Sequence, residues 1–249
     1  MADDTARTNV AWAGVLVDAL AGAGVARAVL SPGSRSTPLA LACLRHPGLT
    51  CRVLLDERVA AFYALGLARA EGRPVVLVCT SGSAPANWHP AVAEADRARL
   101  PLILLTADRP PELQDCGANQ TLEQVGLFGP SVRAVHALPP AEPEPGWLAS
   151  FAARVVSQSL WPLPGPVQVN VPLREPLLPA QPEFPAALPP PPRVALPRFA
   201  PEPALLDELA ARLAGRRGVI LAGAEPLPAA PLAALAGALG WPILADPLS

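Results

Sequence analysis

The feature that most constrains this chain is a set of short apolar runs that do not alternate with polar residues. Ala28-Val29-Leu30, Arg52-Val53-Leu54-Leu55, Val75 to Cys79 and Leu102 to Leu105 are the clearest. Between them lie stretches of helical spacing. Trp12, Val15, Leu16, Ala19 and Leu20 share one face between Thr8 and Leu20. Asp56 to Ala70 is rich in alanine and closes on Glu71-Gly72-Arg73-Pro74, and Ser83 to Ala98 and Trp147 to Leu160 complete the helical set. Apolar runs separated by helices are what strands buried on both faces produce, and such strands belong to parallel sheets. With Val167 to Val171 as one more strand, residues 1–180 read as one doubly wound α/β domain.

The composition then changes. Pro172 to Pro203 holds 12 of the chain's 34 prolines, including the run Pro189 to Pro192. A segment so poor in backbone donors favours extended geometry, so residues 181–203 read as a semi-rigid linker. After it come a helix (Ala204 to Ala214), a strand (Val219 to Leu221), a helix (Pro231 to Leu239) and a strand (Ile243 to Ala245). Two strands and two helices are too few to close an α/β core. Residues 204–249 therefore read as the start of a second α/β domain.

Several function classes drop out. Acidic residues outnumber basic ones 21 to 19, which gives no footprint for nucleic acid or an anionic membrane. All the basic residues are arginine, so neither a Schiff-base lysine nor a P-loop lysine exists in this chain. Cys43, Cys51, Cys79 and Cys116 fall in no paired spacing, and the three histidines are far apart. The acidic start is unlike a secretory leader. Pro226 to Ala245 carries no charge, but its prolines and glycines favour a buried helix flanked by turns over a membrane span. The expectation is a soluble, cytoplasmic protein. Trp12, Trp88, Trp147 and Trp161 read as packing residues, and His89 as surface or core.

In open parallel sheets, ligands sit beyond the carboxyl ends of the strands. Those ends carry Ser31-Pro32-Gly33-Ser34-Arg35-Ser36-Thr37, Asp56-Glu57-Arg58, Thr80-Ser81-Gly82-Ser83 and Thr106-Ala107-Asp108-Arg109-Pro110-Pro111-Glu112. Each has a plain structural reading: Ser31, Ser36 or Asp56 as a helix cap, Thr80-Ser81-Gly82 as a turn. Together they ask for more, because a structural sheet has no need of arginine at three of four strand ends. Guanidinium offers a fork for carboxylates and phosphates, which points to a small acidic ligand.

These segments resemble one family. Ser-Pro-Gly-Ser-Arg-Ser-Thr-Pro-Leu, Asp-Glu-Arg, Thr-Ser-Gly-Ser-Ala-Pro-Ala-Asn, Thr-Ala-Asp-Arg-Pro-Pro-Glu-Leu and Cys-Gly-Ala-Asn-Gln-Thr are similar, in order and spacing from about Asn9 to Leu177, to the MenD family. Its members are thiamine-diphosphate-dependent 2-succinyl-5-enolpyruvyl-6-hydroxy-3-cyclohexene-1-carboxylate (SEPHCHC) synthases of menaquinone biosynthesis. The resemblance implies a transferase that joins 2-oxoglutarate to isochorismate with loss of carbon dioxide, using thiamine diphosphate and magnesium or manganese. It implies that residues 1–180 hold the aminopyrimidine ring of the cofactor. The family's Gly-Asp-Gly…Asn metal motif does not occur here, so the chain is expected to be an amino-terminal portion, inactive alone.

Roles carry over by position. Glu57 matches the catalytic carboxylate that shares a proton with the pyrimidine ring, and burial beside a neutral ring favours its protonated form. Pro32, Thr80 and Ser81 are expected to line the ring pocket. Ser34, Arg35, Arg109, Asn119 and Gln120 are expected to bind substrate, the arginines taking carboxylates, with Asp108 orienting Arg109. No residue is assigned to a metal. Family sites form between subunits, which implies a homodimer or tetramer and a partner-facing surface that includes Leu127-Phe128. Two other readings stay open: a different thiamine-diphosphate lyase or decarboxylase, and a non-catalytic domain that binds a carboxylate metabolite.

Overall fold

The computed structural model describes residues 2–143, 146–184, 194–223 and 228–247. It divides into two compact units, Met1–Leu196 and Pro197–Ser249.

In the first unit the elements run α1 (Ala2–Gly22), β1 (Arg27–Leu30), α2 (Thr37–Arg45), β2 (Thr50–Val53), α3 (Glu57–Glu71), β3 (Val75–Cys79), α4 (His89–Arg97), β4 (Leu102–Asp108), β5 (Ala134–Ala137), α5 (Leu148–Leu160) and β6 (Val167–Pro172). The six strands form one sheet in the order β2-β1-β3-β4-β6-β5, and every neighbouring pair is parallel. This is the doubly wound α/β sheet that the apolar runs predict.

The two faces separate cleanly. Val76, Val78, Ile103 and Leu105 turn toward Trp12, Leu16, Leu20 and Phe151 of α1 and α5, with Leu39 of α2. Val75, Leu77, Leu102 and Leu104 turn the other way, toward Ala60, Ala61, Ala64 and Trp88. Every residue of β3 and β4 is buried, as non-alternating runs require. Each fully buried leucine or valine contributes roughly 1.5–3 kcal/mol relative to exposure.

α3 shows how sequence sets an element. Asp56 caps it, accepting from the Val59 N–H at 2.9 Å, and Gly72 closes it in the left-handed conformation (φ 61°). Its inward residues are alanines, Ala60, Ala61, Ala64 and Ala68, so the helix lies close on the sheet. Its outward face keeps Val59, Phe62 and Tyr63 exposed.

Several expectations need correction. The second strand is Thr50–Val53, two residues earlier than read, because register with β1 pairs Leu30 with Val53; Leu55 is left 82% exposed beyond it. Ser83 to Ala98 is not one helix. Pro85 and Pro90 lack donors, and the segment splits into a 3-10 turn (Pro85–Trp88) and α4. β5 was not anticipated at all. Phe128 is fully buried against α4, so it cannot belong to an open partner-facing surface. Ser36 precedes α2 without capping it through its side chain, and its hydroxyl donates to the Gly33 carbonyl instead (3.0 Å). Trp12 and Trp88 pack as expected, whereas Trp147 is partly exposed and donates to Glu142.

The second unit contains α6 (Pro203–Leu213), β7 (Ile220–Ala222), α7 (Ala229–Leu239) and β8 (Ile243–Ala245), with β7 and β8 parallel. α7 was expected to be buried; none of its residues is, because two strands offer too little surface to cover a helix. No helix of the described residues is long and apolar enough to cross a membrane.

Candidate active site

The parallel order brings the ends of β1, β3, β4 and β6 to one edge. The chain reverses its direction of winding between β1 and β3, the crevice where such sheets place ligands. At that crevice Gly33 stands against Thr80, so close that only a glycine fits. Pro32 and Ser34 flank it and are exposed.

Arg109 is the centre of the polar cluster. It leaves β4 almost fully buried, one terminal nitrogen contacting the Ser81 hydroxyl and the other donating to Asn119 Oδ1 at 3.2 Å. Ser81 donates to the Gln120 carbonyl (3.1 Å), and Gln120 Nε2 donates back to the Ser81 carbonyl (3.0 Å). Gln120 sits at φ 53°, a left-handed turn that lets its side chain reach over Gly82. Four predicted residues, Ser81, Arg109, Asn119 and Gln120, are thus one connected group.

Beneath them lies a network the sequence reading missed. Gln124 accepts from the Gly82 N–H (2.7 Å) and donates to the Ala107 carbonyl (3.1 Å) and to Asn170 Oδ1 (3.0 Å). Thr106 donates to the same Asn170 oxygen (2.9 Å), and Asn170 Nδ2 donates to Asp108 Oδ2 (2.8 Å). Gln168 donates to the Gln124 carbonyl and accepts from Gly126 N–H. These bonds tie the loops after β3 and β4 to β6. The signal was there to find: two amides, Gln168 and Asn170, in a strand that must be buried on both faces.

Asp108 does not orient the Arg109 guanidinium. Its Oδ1 accepts the Arg109 main-chain N–H at 2.7 Å. Burial raises its pKa, an effect strengthened by Glu123 and opposed by the bonds from Asn170, Arg109 and Gln114. Burial lowers the pKa of Arg109, and the positive charge of Arg35 lowers it further. The two predicted carboxylate-binding arginines therefore act on one another.

Arg35 is already engaged. It is 4% exposed, donates from Nη1 to the Leu173 carbonyl (2.8 Å), and pairs through Nη2 with Glu175 (2.6 Å). Glu57 opens α3 and is half-buried rather than enclosed. Burial pushes the Cys79 thiol well up and the negative charge of Glu57 adds to this, so the carboxylate acts on the end of β3, next to Thr80. Among the described residues, no three His, Cys, Asp or Glu side chains come together to hold a metal ion.

Residues 11–127 match the family model for the thiamine pyrophosphate enzyme, N-terminal TPP binding domain. Over nearly its whole length the chain is similar to curated proteins named 2-succinyl-5-enolpyruvyl-6-hydroxy-3-cyclohexene-1-carboxylate synthase. It is 49% identical over 251 residues to the synthase of Dechloromonas aromatica (strain RCB), a match covering 99% of this chain and 47% of that one. It is 48% identical over 253 residues to that of Geobacillus kaustophilus (strain HTA426), covering 96% and 43%. The chain spans about half the length of the curated relatives it matches. In fold it is similar to benzoylformate decarboxylase from Polynucleobacter necessarius (TM-score 0.74, 22% identity, 95% of this chain and 43% of that one).

Proposed function

We propose that this chain supplies the pyrimidine-binding half of a SEPHCHC synthase active site, in a decarboxylating carboligation of 2-oxoglutarate to isochorismate. The observation that carries the reading is the convergence of Ser81, Arg109, Asn119 and Gln120 into one bonded group at the strand ends. Arg35 is electrostatically coupled to that group.

The residues fit the pyrimidine end of thiamine diphosphate. Glu57 offers a half-buried carboxylate beside the end of β3, where it can hold a proton against a ring nitrogen. Pro32, Thr80 and Ser81 supply the adjoining wall. When bound, the cofactor supplies the nucleophilic carbon and the electron sink that decarboxylation and carbon–carbon bond formation need. Arg35 and Arg109 bind substrate carboxylates, and Ser34, Asn119 and Gln120 add neutral hydrogen bonds that fix their orientation. The family's divalent cation, magnesium or manganese, finds no ligand cluster among the described residues, and no step here is routed through it. In this reading residues 1–180 form the pyrimidine-binding domain, 181–203 a linker and 204–249 the start of a central domain, in a cytoplasmic homo-oligomer. The exposed apolar face of Leu55, Val59, Phe62 and Tyr63 next to Glu57 supports a subunit contact there.

The test is carbon dioxide release from 2-oxoglutarate with isochorismate, thiamine diphosphate and magnesium. This chain is assayed alone and mixed with a polypeptide covering the rest of a relative's length. Release in the mixture, lost with Glu57→Gln, is the expected result. Equal release with Glu57→Gln sinks the assignment.

A further inference from the structure

The Arg35 fork is half filled. A guanidinium presents Nε–H and one terminal N–H side by side, a pair that matches both oxygens of a carboxylate. Arg174 uses that pair fully, donating from Nε (2.6 Å) and Nη2 (3.0 Å) to the two oxygens of Glu112. Arg35 does not. Glu175 takes Nη2 with one oxygen, and Arg35 Nε is buried with no hydrogen-bond partner among the described residues. A buried donor left unpaired is costly, so the site favours any carboxylate that can take both nitrogens.

The counter-ion is also the solvent-facing member of the pair. Glu175 is 68% exposed at its side chain while Arg35 is 4% exposed, so water can receive the glutamate but not the arginine. Glu175 follows the end of β6, which leaves the sheet still bonded to β4 through Leu173 N–H and the Asp108 carbonyl (3.1 Å). It therefore stands at the edge that carries Arg109, and its charge acts on Arg109 as well.

We propose that Glu175 is a built-in competitor for the carboxylate site, holding Arg35 until an incoming carboxylate displaces it and takes both fork nitrogens. The site then selects for dianions, because a ligand with one carboxylate on Arg35 and another near Arg109 replaces all that Glu175 supplied. A single carboxylate can gain the second fork nitrogen but leaves the charge that Glu175 supplied to Arg109 unreplaced. The inference rests on the carboxylate-substrate reading given above.

The experiment is calorimetric titration of this chain with 2-oxoglutarate, and with propionate as the monoanion. The proteins are the native sequence, Glu175→Gln, Glu175→Asp and Arg35→Gln, each checked for fold by circular dichroism. Glu175→Gln is expected to bind 2-oxoglutarate about two- to fivefold tighter, the range of a largely exposed ion pair. Glu175→Asp, whose shorter carboxylate reaches Arg35 less well, is expected to fall between; it carries the test if Glu175→Gln does not fold. Arg35→Gln is expected to bind weakly, with no gain when Glu175→Gln is added. Unchanged or weaker binding by both Glu175 variants overturns the proposal. So does an absence of binding in every protein, since an emptied fork must attract a carboxylate. Carbon dioxide release in the reconstituted mixture is independent of these titrations, so the synthase reading can stand when this one falls.

Discussion

A Cβ on Gly33 would lie 2.3 Å from the Cβ of Thr80, so the loops after β1 and β3 touch with no space for a methyl group. Gly33→Ala is therefore expected to destabilise the domain by about 1–3 kcal/mol through overpacking. Thr80→Ala keeps the offending Cβ and will not rescue it, whereas Thr80→Gly will restore part of the loss. Urea unfolding midpoints of the three variants check this order.

Asp108 gives a pH signature. Burial raises its pKa, so the folded chain keeps a proton at pH values where the unfolded chain, near the ordinary value of about 3.9, has lost it. Stability from this group is complete below the unfolded value and falls as pH rises through the folded one. Asp108→Asn is expected to flatten that fall in urea unfolding from pH 4 to 7. An unchanged slope would assign the pH dependence elsewhere.

Arg133 fastens the edge strand. It precedes β5, contacts Asp96, and donates to the Pro164 carbonyl (2.8 Å) and the Leu163 carbonyl (3.0 Å). Arg133→Leu strands those acceptors, and a loss of about 1–3 kcal/mol is expected. Asp96→Asn keeps an acceptor and should cost less. Thermal unfolding of the two variants side by side measures the difference.

The outer face of α3 predicts self-association. Phe62 and Tyr63 are 44% and 43% exposed beside Leu55 and Val59. The native chain is expected to associate with rising concentration, and Phe62→Glu with Tyr63→Glu to stay monomeric. Equilibrium sedimentation decides between them; a native chain that stays monomeric throughout removes this face from the proposed subunit contact.

Much of the fold is legible in the sequence because β3 is apolar throughout and β4 is apolar from Leu102 to Leu105. A parallel sheet with helices on both faces hides such strands on both sides. β5 escaped because Ala-Val-His-Ala is short, half-buried and without an apolar run. The two amides of Val-Gln-Val-Asn-Val signal buried polar groups that need partners, but not which partners. Gln124 from a distant loop satisfies those amides, and no local pattern announces a partner 46 residues away. Arginines at the strand ends could be found by type and place. That Arg35 already holds Glu175 could not, because an ion pair across 140 residues is set by the sheet order and not by spacing.

The position of β6 between β4 and β5 has a consequence for the chain as it leaves the ribosome. β4 is complete at Asp108, yet its free edge waits for Val167–Pro172 before it is covered. β5, made in between, has no strand to pair with until that same segment emerges. For some sixty residues of synthesis the nascent domain therefore carries an open, largely apolar sheet edge, the kind of surface that invites pairing with a neighbouring chain. That edge closes when Val167 to Pro172 slots between β4 and β5.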